Sequence, residues 1–81
     1  MQAVLYSRDN CQWCDRVRQL LNSVNISYTE YKYGVHFSKE GFYNEFGEGA
    51  TFPQVVLNSE NLGGAQESIR YMQKENICCN V

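Results

Sequence analysis

The stretch that decides the fold of this chain reads Ser7-Arg8-Asp9-Asn10-Cys11-Gln12-Trp13-Cys14. It follows a short apolar run, Ala3 to Tyr6, and precedes a helical pattern that begins at Asp15. Two cysteines three residues apart at a strand-to-helix junction are typical of thiol–disulfide chemistry rather than of a structural bridge. We therefore expect a redox site where the first strand meets the first helix.

Composition and charge restrict the class of protein. The 81 residues suffice for one domain (1–81), and 43% of them are hydrophobic, enough for a modest core without metal or disulfide staples. The net charge of −2 gives no electrostatic reason to expect nucleic acid or an anionic membrane as a partner. The first apolar run is too short for a signal peptide, and no run approaches the roughly 20 apolar residues of a membrane span. These features predict a cytoplasmic protein.

Cysteine placement supports the same compartment. Of the four cysteines, one pair lies near the start and Cys78-Cys79 lies at the end. A secreted disulfide framework would spread its cysteines across the loops, so we expect reduced thiols in a reducing cytoplasm. We predict that residues 76–81 form a short frayed tail with exposed thiols. An alternative use of Cys78-Cys79 is glutathionylation or intermolecular disulfide formation.

Hydrophobic periodicity predicts seven elements in the order β-α-β-α-β-β-α. The first strand is uniformly apolar, so it should be covered on both faces, and helix-then-strand order predicts a parallel pairing with the second strand. Ser38 should cap the second helix, with Glu40 in its first turn and Gly47 at its end. A mixed four-stranded sheet flanked by three helices satisfies this order. The predicted elements are strand 3–6, helix 11/12–24, strand 26–33, helix 38–47, strand 54–57, strand 61–62 and helix 65–75.

Cys11 and Cys14 carry the predicted chemistry. At a helix N-terminus, Cys11 would face unpaired backbone N–H groups and the positive end of the helix dipole, which favour a thiolate. Cys14 lies one turn on, on the same face, and should be the more buried and the poorer first nucleophile. Two alternatives are a zinc half-site completed by Cys78-Cys79, whose adjacent cysteines lack the usual ligand gap, and a pair of ordinary core cysteines.

Three motifs together resemble those of the glutaredoxins. They are the Cys11-Gln12-Trp13-Cys14 motif, Thr51-Phe52-Pro53 at the start of the third strand, and Leu62-Gly63-Gly64 before the last helix. The resemblance covers roughly residues 2–75 and is closest in length to the small dithiol glutaredoxins of bacteria and bacteriophages. It implies an α/β thioredoxin-like fold, a proline in the cis form at Pro53, and a location in the host cytoplasm if the protein is viral.

The resemblance also implies a groove for glutathione as co-substrate, with no bound metal. Arg8 would bind the glycyl carboxylate, and the backbone of Phe52 would pair with the cysteinyl unit. The first N–H groups of the last helix would bind the γ-glutamyl carboxylate. The implied glutathione-binding residues are Arg8, Trp13, Thr51, Phe52, Pro53, Gly64, Ala65 and Gln66.

Three positions depart from the family pattern. Gln12 and Trp13 replace the usual proline and tyrosine, so the fixed φ of proline is missing at the helix start. Gln66 stands where an aspartate often meets the amino group of glutathione. It can form a hydrogen bond but brings no charge, and Glu67 is the neighbouring residue that could compensate for the missing carboxylate. His36 is a lone loop histidine to which we assign no role, and the aromatic residues around 28–46 are interpreted as core and rim.

The sequence thus predicts a monomeric, glutathione-dependent thiol–disulfide oxidoreductase that reduces protein disulfides and glutathione mixed disulfides. Cys11 is the predicted nucleophile and Cys14 the predicted resolving cysteine. Ribonucleotide reductase is a client that the resemblance implies. The alternatives are a glutaredoxin-like electron donor recharged by thioredoxin reductase, a glutathione-ligated iron–sulfur carrier that uses Cys11, and a pure interaction module.

Overall fold

The fold of residues 1–78, described by a computed structural model, has the predicted order of seven elements. The boundaries of the elements differ from the sequence prediction by no more than one residue. The third strand spans the predicted residues and begins directly after Pro53. The elements are β1 (Gln2–Ser7), α1 (Gln12–Ser23), β2 (Ser27–Lys32), α2 (Lys39–Phe46), β3 (Gln54–Leu57), β4 (Glu60–Gly63) and α3 (Ala65–Lys74).

The strands form one mixed sheet in the order β2-β1-β3-β4. The pairing of β1 with β2 is parallel, as the helix between them predicts, and the other two pairings are antiparallel. The β3–β4 turn is tighter than expected: Asn58 and Ser59 have φ values of 49° and 69°, and β4 already begins at Glu60. Two consecutive residues with positive φ match the right-handed twist of a hairpin with a two-residue turn.

The two faces of the sheet are covered unequally. Along β1, Ala3, Leu5 and Ser7 are buried whereas Val4 and Tyr6 are half-buried, so both faces of this strand are covered but one of them only partly. Helices α1 and α3 both contribute to the apolar core on one face, and on the other face Tyr6 contacts an aromatic group that includes rings of α2. The core cluster consists of Ala3, Leu5, Val17, Leu21, Ile26, Val55, Leu57, Ala65, Met72 and Cys78.

Helix α2 begins and ends as its sequence predicts. Ser38 is its N-cap, and the Ser38 hydroxyl accepts a hydrogen bond from the Gly41 N–H at 3.2 Å. Glu40 lies in the first turn, near the positive end of the helix dipole. Gly47 follows the helix with a φ of 97°, a conformation that glycine adopts without steric cost.

Both core helices end in the same Schellman motif, which the sequence prediction missed. After α1, Asn25 has a φ of 58° and its N–H bonds the Asn22 carbonyl, while the Ile26 N–H bonds the Leu21 carbonyl at 3.0 Å. In this motif, a residue with left-handed backbone follows the helix. The next residue is commonly apolar and contacts the last helical turn. These two hydrogen bonds give α1 a well-defined end.

For residues 76–78, the described part of the predicted frayed tail, the same motif gives a defined backbone instead. Asn76, with a φ of 56°, turns the chain back after α3, and the Ile77 and Cys78 N–H groups both bond the Met72 carbonyl. Ile77 contacts the core, and Cys78 is buried within it at 7% exposure rather than exposed. Its neighbour Cys79 lies outside the described residues.

A polar network joins α1 to the sheet at the end that carries the redox loop. The Ser7 hydroxyl donates to Glu30 Oε2 at 2.5 Å, and Arg18 donates to both Glu30 oxygens at 2.8 and 2.7 Å. Arg18 also pairs with Asp15. Arg18 is therefore held against the sheet, because the parallel pairing of β1 and β2 brings Glu30 beneath this helix. The hydrogen bonds from Arg18, assisted by the one from Ser7, hold the pKa of Glu30 below its usual value.

Replacing Asn25 or Asn76 with alanine should lower the free energy of unfolding by about 1 kcal/mol, because alanine lacks the short polar side chain through which asparagine tolerates the left-handed conformation. Urea unfolding followed by circular dichroism measures this loss. Asn44→Ala, within α2, is the matched control and should not destabilise, because alanine is the better helix former. Equal losses at all three positions would contradict the assignment.

Glu30→Gln should lower stability most at neutral pH. Because the folded-state pKa of Glu30 is depressed, its charged form stabilises the protein above the ordinary pKa of a glutamate, and this contribution is lost as pH falls through the folded-state value. The difference in urea midpoint between the wild type and Glu30→Gln should thus shrink from pH 7 towards about pH 3. Glu48→Gln, at an exposed loop position, controls for net charge. A difference that does not change with pH would exclude this role for the Glu30 charge.

Candidate functional site

Cys11 is itself the N-cap of α1. Its backbone is extended, with φ −120° and ψ 100°, and its Sγ accepts a hydrogen bond from the Cys14 N–H at 3.2 Å. In this structure the two sulfurs form a disulfide, with Cα atoms 5.2 Å apart. After reduction, the same N–H and the positive end of the helix dipole would stabilise a thiolate on Cys11. The position of Cys11 therefore suits a nucleophilic thiol.

The two cysteines differ in burial in the expected direction. Cys14 is fully buried and Cys11 is 7% exposed. Cys14 shares its helix face with Val17 and Leu21, which are core residues. An incoming substrate would therefore meet the Cys11 sulfur first.

The loop before Cys11 is fixed by its own polar side chains. Arg8 is exposed, and its Nη1 donates to the Asp9 and Asn10 carbonyls at 3.0 and 3.2 Å. The Asp9 carboxylate pairs with Lys32 of β2 at 3.2 Å. The guanidinium of Arg8 thus lies at the surface of the redox loop, where a carboxylate could reach it.

Pro53 lies at the same end of the sheet as Cys11. The Phe52–Pro53 peptide bond is cis, as the resemblance implies. Gln54 pairs with Tyr6 in the antiparallel register, which places Pro53 beside the end of β1 and the start of the redox loop. The Gln54 amide donates to the Thr51 carbonyl at 2.9 Å and so shapes the turn before the proline. Sequence reasoning did not single out Gln54 for this contact.

Phe52 is anchored from below by aromatic rings. It stacks on Phe42 of α2 with ring centroids 4.2 Å apart and planes 15° apart. The rings of Phe37 and Tyr33 lie 6.0 Å from Phe52. Stacking at these distances restricts the Phe52 side chain, so its backbone is held in place beside Cys11. The aromatic residues of 28–46 thus form core and rim, as predicted.

The N-terminus of α3 completes the same end of the sheet. Gly63 pairs with Val55, and Gly64 is an N-cap without a side-chain hydrogen bond. A Cβ built on Gly64 would lie 3.5 Å from Glu67 Oε1 and 3.7 Å from the Pro53 carbonyl oxygen. The carboxylate of Glu67 therefore lies close to Gly64, and the side chains of Glu67 and Gln66 are both exposed. Glu67, which the sequence offered only as a compensating residue, is the acidic group at this position.

Trp13 and Gln12 both face solvent. Trp13 is 42% exposed, and the Arg16 guanidinium lies 5.3 Å from its ring centroid. A cation at this distance from an indole ring is weakly attractive at an exposed site. Trp13 therefore offers an aromatic surface between the two cysteines.

His36, at an exposed position, accepts the Lys32 N–H on its Nδ1 at 2.9 Å.

The described part of the chain does not assemble a metal-binding group. Within residues 1–78, no three His, Cys, Asp or Glu side chains cluster closely enough to hold an ion. Cys78, one ligand of the zinc alternative, belongs to the core cluster, and Cys79 lies outside the described residues. None of the helices in residues 1–78 is long and apolar enough to cross a membrane.

Comparison with known proteins agrees with this geometry. The family model for glutaredoxin matches residues 3–62. Glutaredoxin 1 of Rickettsia prowazekii is 26% identical over 66 residues, which cover 79% of this chain and 70% of that protein. The solved structures with the same fold include glutaredoxin 1 of Francisella tularensis in complex with cacodylate and a buckwheat glutaredoxin–glutathione complex.

The Francisella protein has a TM-score of 0.77 at 23% identity, covering 93% of this chain and 95% of its own. The buckwheat protein has a TM-score of 0.73 at 18% identity, covering 93% and 71%. The family model spans most of the chain and includes both active-site cysteines and the cis proline. The chain belongs to the glutaredoxin family of thiol–disulfide oxidoreductases.

Proposed function

We propose that this glutaredoxin draws its electrons from glutathione and reduces both protein disulfides and glutathione mixed disulfides. One observation carries the proposal: the Cys11 cap, the cis Pro53 turn and the N-terminus of α3 meet at one end of the sheet. Together they offer a nucleophile, an exposed backbone edge and an anion site to one small peptide. The fold relationship to a buckwheat glutaredoxin solved with glutathione supports this choice of ligand.

Each group of glutathione has a matching partner in this arrangement. The γ-glutamyl carboxylate would accept hydrogen bonds from the N–H groups of Ala65 and Gln66 in the first turn of α3. Its amino group would bind the Glu67 carboxylate beside Gly64. The cysteinyl unit would pair with the Phe52 backbone, bordered by Thr51 and Trp13. Arg8 would bind the glycyl carboxylate.

The reaction begins with the Cys11 thiolate. It attacks a sulfur of the substrate disulfide, so that a Cys11–substrate bond forms and the other sulfur leaves as a thiolate that takes up a proton. For a protein disulfide, Cys14 then attacks Cys11, which releases the reduced protein and leaves a Cys11–Cys14 disulfide. Two glutathione molecules then reduce this disulfide by successive exchange and leave as oxidised glutathione. For a glutathione mixed disulfide, a second glutathione thiolate attacks the Cys11–glutathione bond, giving oxidised glutathione and the free Cys11 thiolate.

The proposal extends to compartment and clients. We place this protein in the cytoplasm, or the host cytoplasm if it is viral, as a monomer whose co-substrate is glutathione. Its clients would be proteins with accessible disulfides, and ribonucleotide reductase is one candidate. The separation of the two cysteine pairs along the chain supports a reducing compartment.

Replacing the two cysteines one at a time should separate their roles in the two activities. Cys11→Ser should reduce both protein-disulfide reduction and deglutathionylation to background, because the attacking sulfur is gone. Cys14→Ser should lose the former and keep most of the latter, because glutathione can resolve the mixed disulfide at Cys11. Coupled assays with insulin and with a glutathionylated peptide measure the two rates. A Cys11→Ser protein with wild-type turnover would refute the mechanism.

Glu67→Gln should raise the KM for a glutathionylated peptide about tenfold, the value expected for one lost charge-assisted hydrogen bond of roughly 1.4 kcal/mol. Glu75→Gln, beyond the other end of α3, is the charge-matched control and should leave KM unchanged. Gln66→Asp should lower KM by adding a carboxylate.

If thioredoxin reductase supports turnover and glutathione does not, the proposed electron source is wrong.

A further inference from the structure

Exposed apolar side chains are concentrated at the redox end of the sheet. Among the large apolar residues of the described chain, 1–78, the exposed ones are Met1, Trp13, Tyr31, Tyr33 and Val35. Tyr31 pairs with Tyr6 near the end of β1, and Tyr33 and Val35 follow directly after β2. Single exposed apolar residues are ordinary, but a group of them at one end of the sheet forms a surface that a partner can cover.

Tyr33 joins the two walls of the groove between the redox loop and the cis-proline turn. Its N–H donates to the Ser7 carbonyl at 2.8 Å, where the redox loop begins. Its ring centroid lies 6.0 Å from that of Phe52, the residue before the cis proline. Tyr33 nevertheless remains 42% exposed. Its ring therefore extends the apolar surface of Phe52 beyond the end of β1.

The turn that follows Tyr33 is held by its own hydrogen bonds. The Val35 and His36 N–H groups both donate to the Lys32 carbonyl, at 3.1 and 2.9 Å. The His36 ring in turn accepts the Lys32 N–H. Val35 is 71% exposed in this turn. Because the turn is already ordered, a partner that covers Val35 pays little conformational entropy to fix it.

The charges next to this surface favour an apolar occupant. The Lys32 ammonium lies 3.2 Å from the Asp9 carboxylate, so the two charges offset each other. Tyrosine rings are among the side chains most enriched at protein interfaces, where they supply a large and rigid contact area. Tyr33 and Val35 therefore match an apolar side chain of a polypeptide better than a charged one.

The direction of a bound substrate decides which of its residues reaches this surface. In the proposed pose, glutathione runs from the N-terminus of α3 towards Arg8 and ends there with its glycyl unit. A polypeptide that pairs with Phe52 in the same direction continues past Arg8 towards Tyr33. Side chains two residues apart in an extended chain point to the same face. The residue two positions after the substrate cysteine therefore faces the protein, as that cysteine does.

We propose that Tyr33 and Val35 form a subsite for an apolar side chain two positions after the reactive cysteine of a polypeptide substrate. Glutathione is too short to reach this subsite, so Tyr33 and Val35 act as specificity-determining residues for protein disulfides. The subsite rests on the proposed pairing of the substrate with the Phe52 backbone, but not on glutathione as the reductant.

The test uses short peptides whose cysteine forms a mixed disulfide with thionitrobenzoate, in the absence of glutathione. In a Cys14→Ser background, the Cys11 thiolate attacks the peptide sulfur, the Cys11–peptide bond forms, and thionitrobenzoate leaves as a coloured thiolate. The cysteine is flanked by glycines, with leucine two positions after it, leucine two positions before it, or no leucine. Mass spectrometry verifies that the peptide remains on Cys11.

Leucine after the cysteine should raise the second-order rate constant about three- to tenfold over the glycine peptide, as expected for partial burial of one apolar side chain. Tyr33→Ser should reduce this gain to below about twofold, whereas Tyr33→Phe should keep it because the ring remains. Tyr71→Ser is the matched control. It removes a half-buried ring that bonds Glu60 beside the β3–β4 turn, and it should keep the full gain.

The gain is a ratio measured within each variant, so a general loss of reactivity does not change it. An unchanged gain in Tyr33→Ser, or an equal gain from leucine before the cysteine, would overturn the subsite. If Tyr33→Ser does not fold, Val35→Asp decides: a carboxylate at this exposed position should remove the gain, and a retained gain overturns the subsite. Turnover with thioredoxin reductase instead of glutathione would refute the proposed electron source and leave this ratio unaffected.

Discussion

The hydrogen bond from the Cys14 N–H to the Cys11 sulfur is the contact on which the site depends. A helix start needs an acceptor for its first N–H groups, and serine, threonine or aspartate usually supplies an oxygen. Here the acceptor is the sulfur that does the chemistry. The same interaction therefore defines where α1 begins and stabilises negative charge on the nucleophile. Helix geometry then places Cys14 one turn on, in the core.

Strand register brings the remaining parts of the site to this sulfur. The antiparallel pairing of Tyr6 with Gln54 sets the cis proline beside the end of β1, and the pairing of Val55 with Gly63 brings the start of α3 to the same end. Each segment contributes few contacts alone. Together they form an exposed edge and an anion site around Cys11, supported from below by the Phe52–Phe42 stack.

Polar contacts join helix α1 to the sheet at its redox end. At the opposite end of α1, the Schellman motif at Asn25 seals the core with Ile26, and α3 repeats this arrangement with Asn76 and Ile77. Near the redox loop, the core gives way to Ser7, Glu30 and Arg18. Hydrogen bonds are directional, so this network fixes the position of α1 relative to the sheet more narrowly than apolar contacts would.

The sequence by itself determined the order of the elements, the parallel first pairing and the capped start of α2, because these follow from local periodicity and capping. It also singled out the cysteine pair and Pro53, because their spacing and neighbours are distinctive. The tertiary structure alone decided that Arg18 pairs with Glu30, that the Glu67 carboxylate lies beside Gly64, and that Cys78 is buried. These outcomes depend on register between distant segments and on side-chain direction. The Asn-Ile pairs that end both core helices were visible in the sequence, but only the backbone φ values revealed their meaning.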